Sequence, residues 1–118
     1  MKKILIVDYQ HEVREFLSDF FLLKGFEVVE AANGQKALEA FKKQQPDIAI
    51  VDVEMPIMDG LEFSKQALNS QNDFPIIIVT AFLEKYSKVD IKELGVKNVL
   101  QKPIDLNILF SEVNKVLN

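Results

Sequence analysis

Apolar residues along this chain fall into two rhythms. Short continuous runs rich in β-branched residues occur at Ile4 to Val7, Phe26 to Val29, Ile48 to Val51, Ile76 to Val79 and Val96 to Leu100. Runs of this length and composition predict five buried strands. Between the runs, apolar positions recur three and four residues apart, which is helical spacing. Val13, Phe16, Leu17 and Phe20 mark a first helix, with Phe16, Phe20 and Phe21 expected in the core. Leu106, Leu109, Phe110, Val113 and Val116 mark a last one. Weaker stripes predict helices near Gln35 to Lys43, Gly60 to Ser70 and Glu84 to Leu94. The punctuation agrees: Gly25 and Gly95 stand where left-handed C-caps would end two of the helices. Asp59 and Asp105 stand as N-caps, and Glu62 lies three residues after Asp59 at the spacing of a capping box. Strands alternating with helices of this length predict an α/β fold, a parallel sheet wound on both faces by right-handed crossovers.

Composition narrows the function classes. At 118 residues and 48% hydrophobic, the chain suits one domain, residues 1–118, with a core that needs no metal or disulfide staple. A formal charge of −4 offers no basic footprint, so neither direct nucleic-acid binding nor membrane binding is expected. Cysteine is absent, which removes thiolate metal sites and cysteine nucleophiles and makes a reducing, cytoplasmic setting the simplest expectation. Asp8 interrupts the opening apolar run too early for a signal peptide, and no apolar run is long enough to span a membrane.

In a doubly wound sheet, ligands bind beyond the carboxyl ends of the strands. Here the strands end in Asp8, Asp52, Thr80 and, for the fifth, Gln101-Lys102-Pro103. Two carboxylates, a hydroxyl and an ammonium on one edge can hold a hard divalent cation and a phosphoryl group while balancing most of the charge.

Ile4-Leu5-Ile6-Val7-Asp8, Asp52-Val53-Glu54-Met55-Pro56-Ile57-Met58-Asp59-Gly60, Val79-Thr80-Ala81 and Lys102-Pro103 resemble, in order and spacing, the signatures of response-regulator receiver domains of two-component signalling. The resemblance covers essentially the whole chain. It implies the flavodoxin-like fold of the chemotaxis response regulator, with strand order 2-1-3-4-5. It further implies a phosphorelay role in which Asp52 is phosphorylated from the phosphohistidine of a sensor histidine kinase or histidine phosphotransfer protein. Thr80 and Lys102 would stabilise the phosphoryl oxygens, and Mg²⁺ or Mn²⁺ would be held by Asp8, Asp52 and Glu54, the last through its backbone carbonyl. The Lys102-Pro103 bond would be cis. The output surface would be the face of the fourth helix, fifth strand and fifth helix, presented to a downstream protein or a second receiver. Such a chain is a signalling phosphoacceptor rather than an enzyme.

Three positions depart from the family pattern. A second acidic residue usually follows the first strand's aspartate, whereas this chain has Tyr9. A phenol, with a reference pKa near 10, is a poorer ligand for a hard cation than a carboxylate. Tyr9 therefore reads as an exposed loop aromatic, and the Glu54 side chain is a candidate to compensate. Val99 stands where the family carries a switching aromatic, and Phe82 occupies a position from which it could shield an acyl phosphate. The alternative is a pseudo-receiver, a binding module with weak or no phosphorylation. His11, the only histidine, is expected to be solvated. A haloacid-dehalogenase-type hydrolase would need more chain, and a flavin carrier would need a small-residue phosphate loop where Asp8-Tyr9-Gln10 stands.

Overall fold

A computed structural model describes residues 1–118, the side chain of Lys88 excepted. Five parallel strands form one sheet: β1 (Lys3–Val7), β2 (Glu27–Ala31), β3 (Ile48–Asp52), β4 (Ile76–Thr80) and β5 (Asn98–Gln101), in the order 2-1-3-4-5. The helices between and after them are α1 (His11–Leu23), α2 (Gly34–Gln44), α3 (Gly60–Ser70), α4 (Lys88–Glu93) and α5 (Leu106–Leu117). This is the expected α/β architecture and strand order. No helix is long and apolar enough to cross a membrane.

Strand alternation divides the core in two. Leu5, Val7, Ala49, Val51, Ile76 and Ile78 face α2 and α3, where Phe41, Phe63, Ala67 and Leu68 meet them. Ile4, Ile6, Ile48, Ile50, Ile77 and Val79 face α1 and α5, meeting Leu17, Phe21, Leu109 and Val113. The three central strands are covered on both faces, which explains why they read as unbroken apolar runs.

Four local expectations shift. The second strand begins at Glu27 rather than Phe26, because Phe26 belongs to the end of α1. Gly25 takes a left-handed φ of 90°, its N–H donates to Leu22 and the Phe26 N–H donates to Phe21 at 3.0 Å, the paired bonds of a Schellman cap. The fifth strand starts at Asn98, after the corresponding left-handed turn at Gly95, and Val96 is buried ahead of the ladder. The fourth helical segment is not continuous. A 3-10 turn covers Leu83–Lys85, Tyr86 is extended, and α4 starts only after Ser87, whose hydroxyl accepts from the Asp90 N–H. A serine that competes for backbone donors favours such a restart. Phe16 is 53% exposed rather than in the core: the inward stripe of α1 is centred on Leu17, Ser18 and Phe21, which leaves Phe16 on the outer flank.

The predicted caps form at Asp59 and Asp105. At Asp59 only one half of the capping box is made. The Asp59 carboxylate accepts from the Glu62 N–H at 2.8 Å, while the Glu62 carboxylate accepts from Gln66 one turn on.

The start of α3 is pressed against the end of β3. The Gly60 N–H donates to Val53 at 2.9 Å, and a Cβ built on Gly60 would lie 2.0 Å from the Asp52 carbonyl oxygen. Gly60→Ala is expected to cost about 2 kcal/mol or more by forcing this backbone apart. Gly25→Ala, strained in φ but facing open space, should cost about 1 kcal/mol. Urea denaturation midpoints would check that order. Ser18 is buried, and among the described residues its hydroxyl has no hydrogen-bond partner. Ser18→Ala is accordingly expected to raise stability by about 1 kcal/mol in the same assay.

Candidate functional site

The four polar residues predicted at the strand ends converge. Asp8 directly follows β1, Asp52 closes β3 and Thr80 closes β4; all three are buried. Lys102 follows β5, and its N–H donates to the Thr80 carbonyl at 2.8 Å, carrying the β4–β5 ladder one residue past the strand. The Lys102-Pro103 peptide that follows is cis, as expected, and the lysine side chain reaches back across the sheet edge. Its Nζ lies 2.7 Å from Asp8 Oδ2 and 3.6 Å from Asp52 Oδ2. One ammonium therefore serves two carboxylates that face each other across adjacent strands.

The charge does not balance, and Asp52 registers it. Burial raises its pKa, the Asp8 carboxylate raises it further, and Lys102 opposes them without cancelling them, so the group is pushed up from 3.8 to about 6. Oxygen donors with net negative charge suit a hard divalent cation such as Mg²⁺, which needs only one or two carboxylates when water and phosphoryl oxygens complete its shell. Asp8, Asp52 and the carbonyl of Glu54 are the residues that could hold it. The side chain of Glu54 does not join them. Its Oε1 accepts from the Tyr86 hydroxyl at 2.5 Å and lies 3.8 Å from Lys85 Nζ. Among the described residues no three His, Cys or acidic side chains come together as a metal cluster. The hydrogen bond to Glu54, with burial adding to it, pushes the Tyr86 phenol up to about 12.

A cavity of about 280 Å³ opens over Asp52, bordered by Tyr9, Glu54, Ala81, Phe82 and Lys102. Tyr9 is 59% exposed at its mouth, as expected of a loop aromatic. The Thr80 hydroxyl accepts from the Phe82 N–H at 3.1 Å, a tight turn that holds Ala81 and Phe82 at the cavity edge. Phe82 is itself 42% exposed, with Lys85 Nζ 4.8 Å from its ring centroid. Val99, on β5 opposite Ile78 of β4, is buried in the core on the α2 and α3 face of the sheet. His11 is exposed and pairs with Glu15. Ile57, in the loop after β3, is exposed and has a left-handed φ of 71°, an uncommon conformation for a β-branched residue.

Two features escaped the sequence reading. Arg14 donates from one guanidinium nitrogen to the carbonyls of Asp8 at 2.7 Å and Tyr9 at 3.3 Å, and pairs with Glu30 on β2. It pins the loop that carries Asp8. Its only sequence signal was an arginine one turn into α1. Tyr86 was hidden because its segment read as continuous helix.

The raised pKa of Asp52 carries a stability consequence. A carboxyl that titrates near 6 in the fold and near 3.8 unfolded favours the fold while protonated. That contribution is complete below pH 3.8 and is lost as pH rises through 6, costing on the order of 2–3 kcal/mol above it. In cation-free buffer, Asp52→Asn is expected to melt above the wild type at neutral pH. The two melting curves should converge as pH falls from about 6 toward 3.8.

Comparison with known proteins agrees with this geometry. The family model "Response regulator receiver domain" matches residues 4–114. Sporulation initiation phosphotransferase F of Bacillus subtilis is 36% identical over 116 residues, covering 98% of this chain and 94% of the relative. Regulatory protein AtoC of Escherichia coli is 37% identical over 99% of this chain, which spans only 25% of that longer protein. Among solved structures, the response regulator protein TrrA of Thermotoga maritima, in complex with Mg²⁺-BeF, superposes with a TM-score of 0.90 at 32% identity, over 99% of this chain and all of that one. A fold with strand order 2-1-3-4-5, two carboxylates and a lysine gathered on its carboxyl edge, and a family match across nearly the whole length together make this chain a member of the response-regulator receiver domain family of two-component signalling.

Proposed function

We propose that residues 1–118 act as one receiver unit whose Asp52 accepts a phosphoryl group from the phosphohistidine of a sensor histidine kinase or histidine phosphotransfer protein. The observation that carries this reading is the single Lys102 ammonium held between the Asp8 and Asp52 carboxylates, beside an open cavity. In the transfer, an Asp52 carboxylate oxygen attacks phosphorus, the phosphorus–nitrogen bond breaks, and the imidazole departs with the bonding pair and takes up a proton. The product is an acyl phosphate on Asp52. Phosphoryl transfer asks mainly for alignment and for neutralisation of the equatorial oxygens.

Lys102 supplies one positive charge and can move from its carboxylate partners to a phosphoryl oxygen without leaving the site. The Thr80 hydroxyl, at the neighbouring strand end, donates to another oxygen. Ala81 keeps the approach open because its side chain is a single methyl. When bound, Mg²⁺ or Mn²⁺ on Asp8, Asp52 and the Glu54 carbonyl supplies the remaining charge neutralisation. The Thermotoga relative, solved in complex with Mg²⁺-BeF, supports divalent-cation binding within this family. Phosphorylation would then shift the population of conformers presenting α4, β5 and α5 to a downstream protein or a second receiver.

A second reading, a pseudo-receiver that binds partners without useful phosphorylation, is favoured by two observations. Tyr9 stands where the family places a second acid, and the Glu54 carboxylate is engaged by Tyr86 rather than by the cation site. Intact mass after incubation with acetyl phosphate separates the two. The receiver reading expects a one-phosphoryl adduct that requires Mg²⁺ and disappears in Asp52→Asn. Tyr9→Asp should tighten Mg²⁺ binding by about tenfold by adding a carboxylate. A wild-type chain that forms no adduct, alongside a Tyr9→Asp variant that does, would establish the pseudo-receiver instead.

A further inference from the structure

Glu54 borders the same cavity as Asp52, two residues away in sequence, yet its carboxylate is tied to Tyr86 and Lys85, which line a neighbouring groove instead. Both ties fall on Oε1: the short hydrogen bond from the Tyr86 hydroxyl and the longer ion pair from Lys85. Lys85 is engaged a second time by the face of Phe82, so the Tyr86 contact is the one that fixes where the carboxylate points. Among the described residues, no other hydrogen bond or ion pair orders the Glu54 side chain. Its side chain is 40% exposed and can rotate without disturbing the core.

We infer that Tyr86 is a positioning residue for Glu54, holding a third carboxylate back from the cation site until a divalent cation draws it in. This rests on the cation-dependent reading above. With Lys102 between two carboxylates, the site carries one net negative charge; a divalent cation reverses that sign, and Glu54, whose residue borders the same cavity, carries a further carboxylate that can respond. Release of Glu54 has a second effect, because Tyr86 is the extended residue that joins the 3-10 turn to the cap of α4. The same ring lines a groove of about 480 Å³ between α3 and α4, bordered also by Leu61, Lys65 and Ile91. A tyrosine that loses its acceptor can settle into that groove. Cation binding at Asp52 is thereby communicated to α4 through a side chain on the strand-four side of the site. This route does not need an aromatic at the buried Val99.

Binding linkage makes the effect reciprocal: whatever the cation must break, its removal favours the cation. Calorimetric titration of Mg²⁺ into the wild type, Tyr86→Phe, Glu54→Gln and the double variant tests this directly. Tyr86→Phe keeps the ring and deletes only the hydroxyl, and should tighten Mg²⁺ binding by roughly three- to tenfold, the lower range expected of a charge-assisted bond to a part-exposed carboxylate. In the Glu54→Gln background the same substitution should leave the dissociation constant unchanged. A second readout uses the chain's content of two tyrosines and no tryptophan. In a Tyr9→Phe background all emission comes from Tyr86, quenched while its hydroxyl donates to a carboxylate, and saturation with Mg²⁺ should raise it. The inference is overturned if Mg²⁺ binds but Tyr86→Phe fails to tighten it, if the tightening persists with Glu54→Gln, or if the emission does not respond. If no variant binds Mg²⁺, the cation-dependent reading falls and takes this inference with it.

Discussion

Two carboxylates buried at the ends of neighbouring strands, with one ammonium between them, are the constraint around which the rest of this molecule is arranged. Asp8 and Asp52 sit at the carboxyl ends of β1 and β3, and their mutual repulsion is only partly met by Lys102. A buried charge without full compensation destabilises a fold unless the surrounding structure holds it in place. Several devices around the edge do so. Arg14 clamps the carbonyls of the loop that carries Asp8, Gly60 lets α3 press against the backbone of Asp52, and the Lys102 N–H extends the β4–β5 ladder. Each fixes a backbone segment, leaving the side chains themselves to exchange partners.

That division between rigid backbone and exchangeable side chains suits a group-transfer site. In the proposed transfer Lys102 would trade a carboxylate for a phosphoryl oxygen, and the Thr80 hydroxyl would be offered from the end of β4. The residues that differ from the family pattern fall on both sides of that division. Tyr9 is at the cavity mouth and Phe82 borders it, while Val99 is part of β5 and buried. Variation at Tyr9 and Phe82 changes the rim of the cavity while leaving the sheet untouched. This is the expected behaviour of loops at the carboxyl edge of an α/β sheet.

Most of the fold was legible because its signals are local. β-branched runs and glycine C-caps act over a few residues, and strands covered on both faces cannot hide their apolar character. The misplacements have local causes that are weak in one dimension. Phe26 is apolar and adjacent to a strand, but a Schellman bond to Phe21 claims its N–H. Phe16 has helical spacing, yet the inward face of α1 is set by where β1 and α5 lie, which the helix alone does not encode. The residues that carry charge at the strand ends were legible for the same reason as the strands. The tertiary contacts of Glu54, Tyr86 and Arg14 were not, since each joins segments whose meeting depends on the assembled sheet.

The contact from Lys102 to Asp8 spans 94 residues of sequence, nearly the full length of the chain. Within this domain both carboxylates come from the first half of residues 1–118, and the compensating charge comes from the turn after β5. A fragment lacking β5 and that turn would carry two facing acids without their ammonium. The charge arrangement at the sheet edge is therefore a property of the assembled domain and of no shorter piece of it.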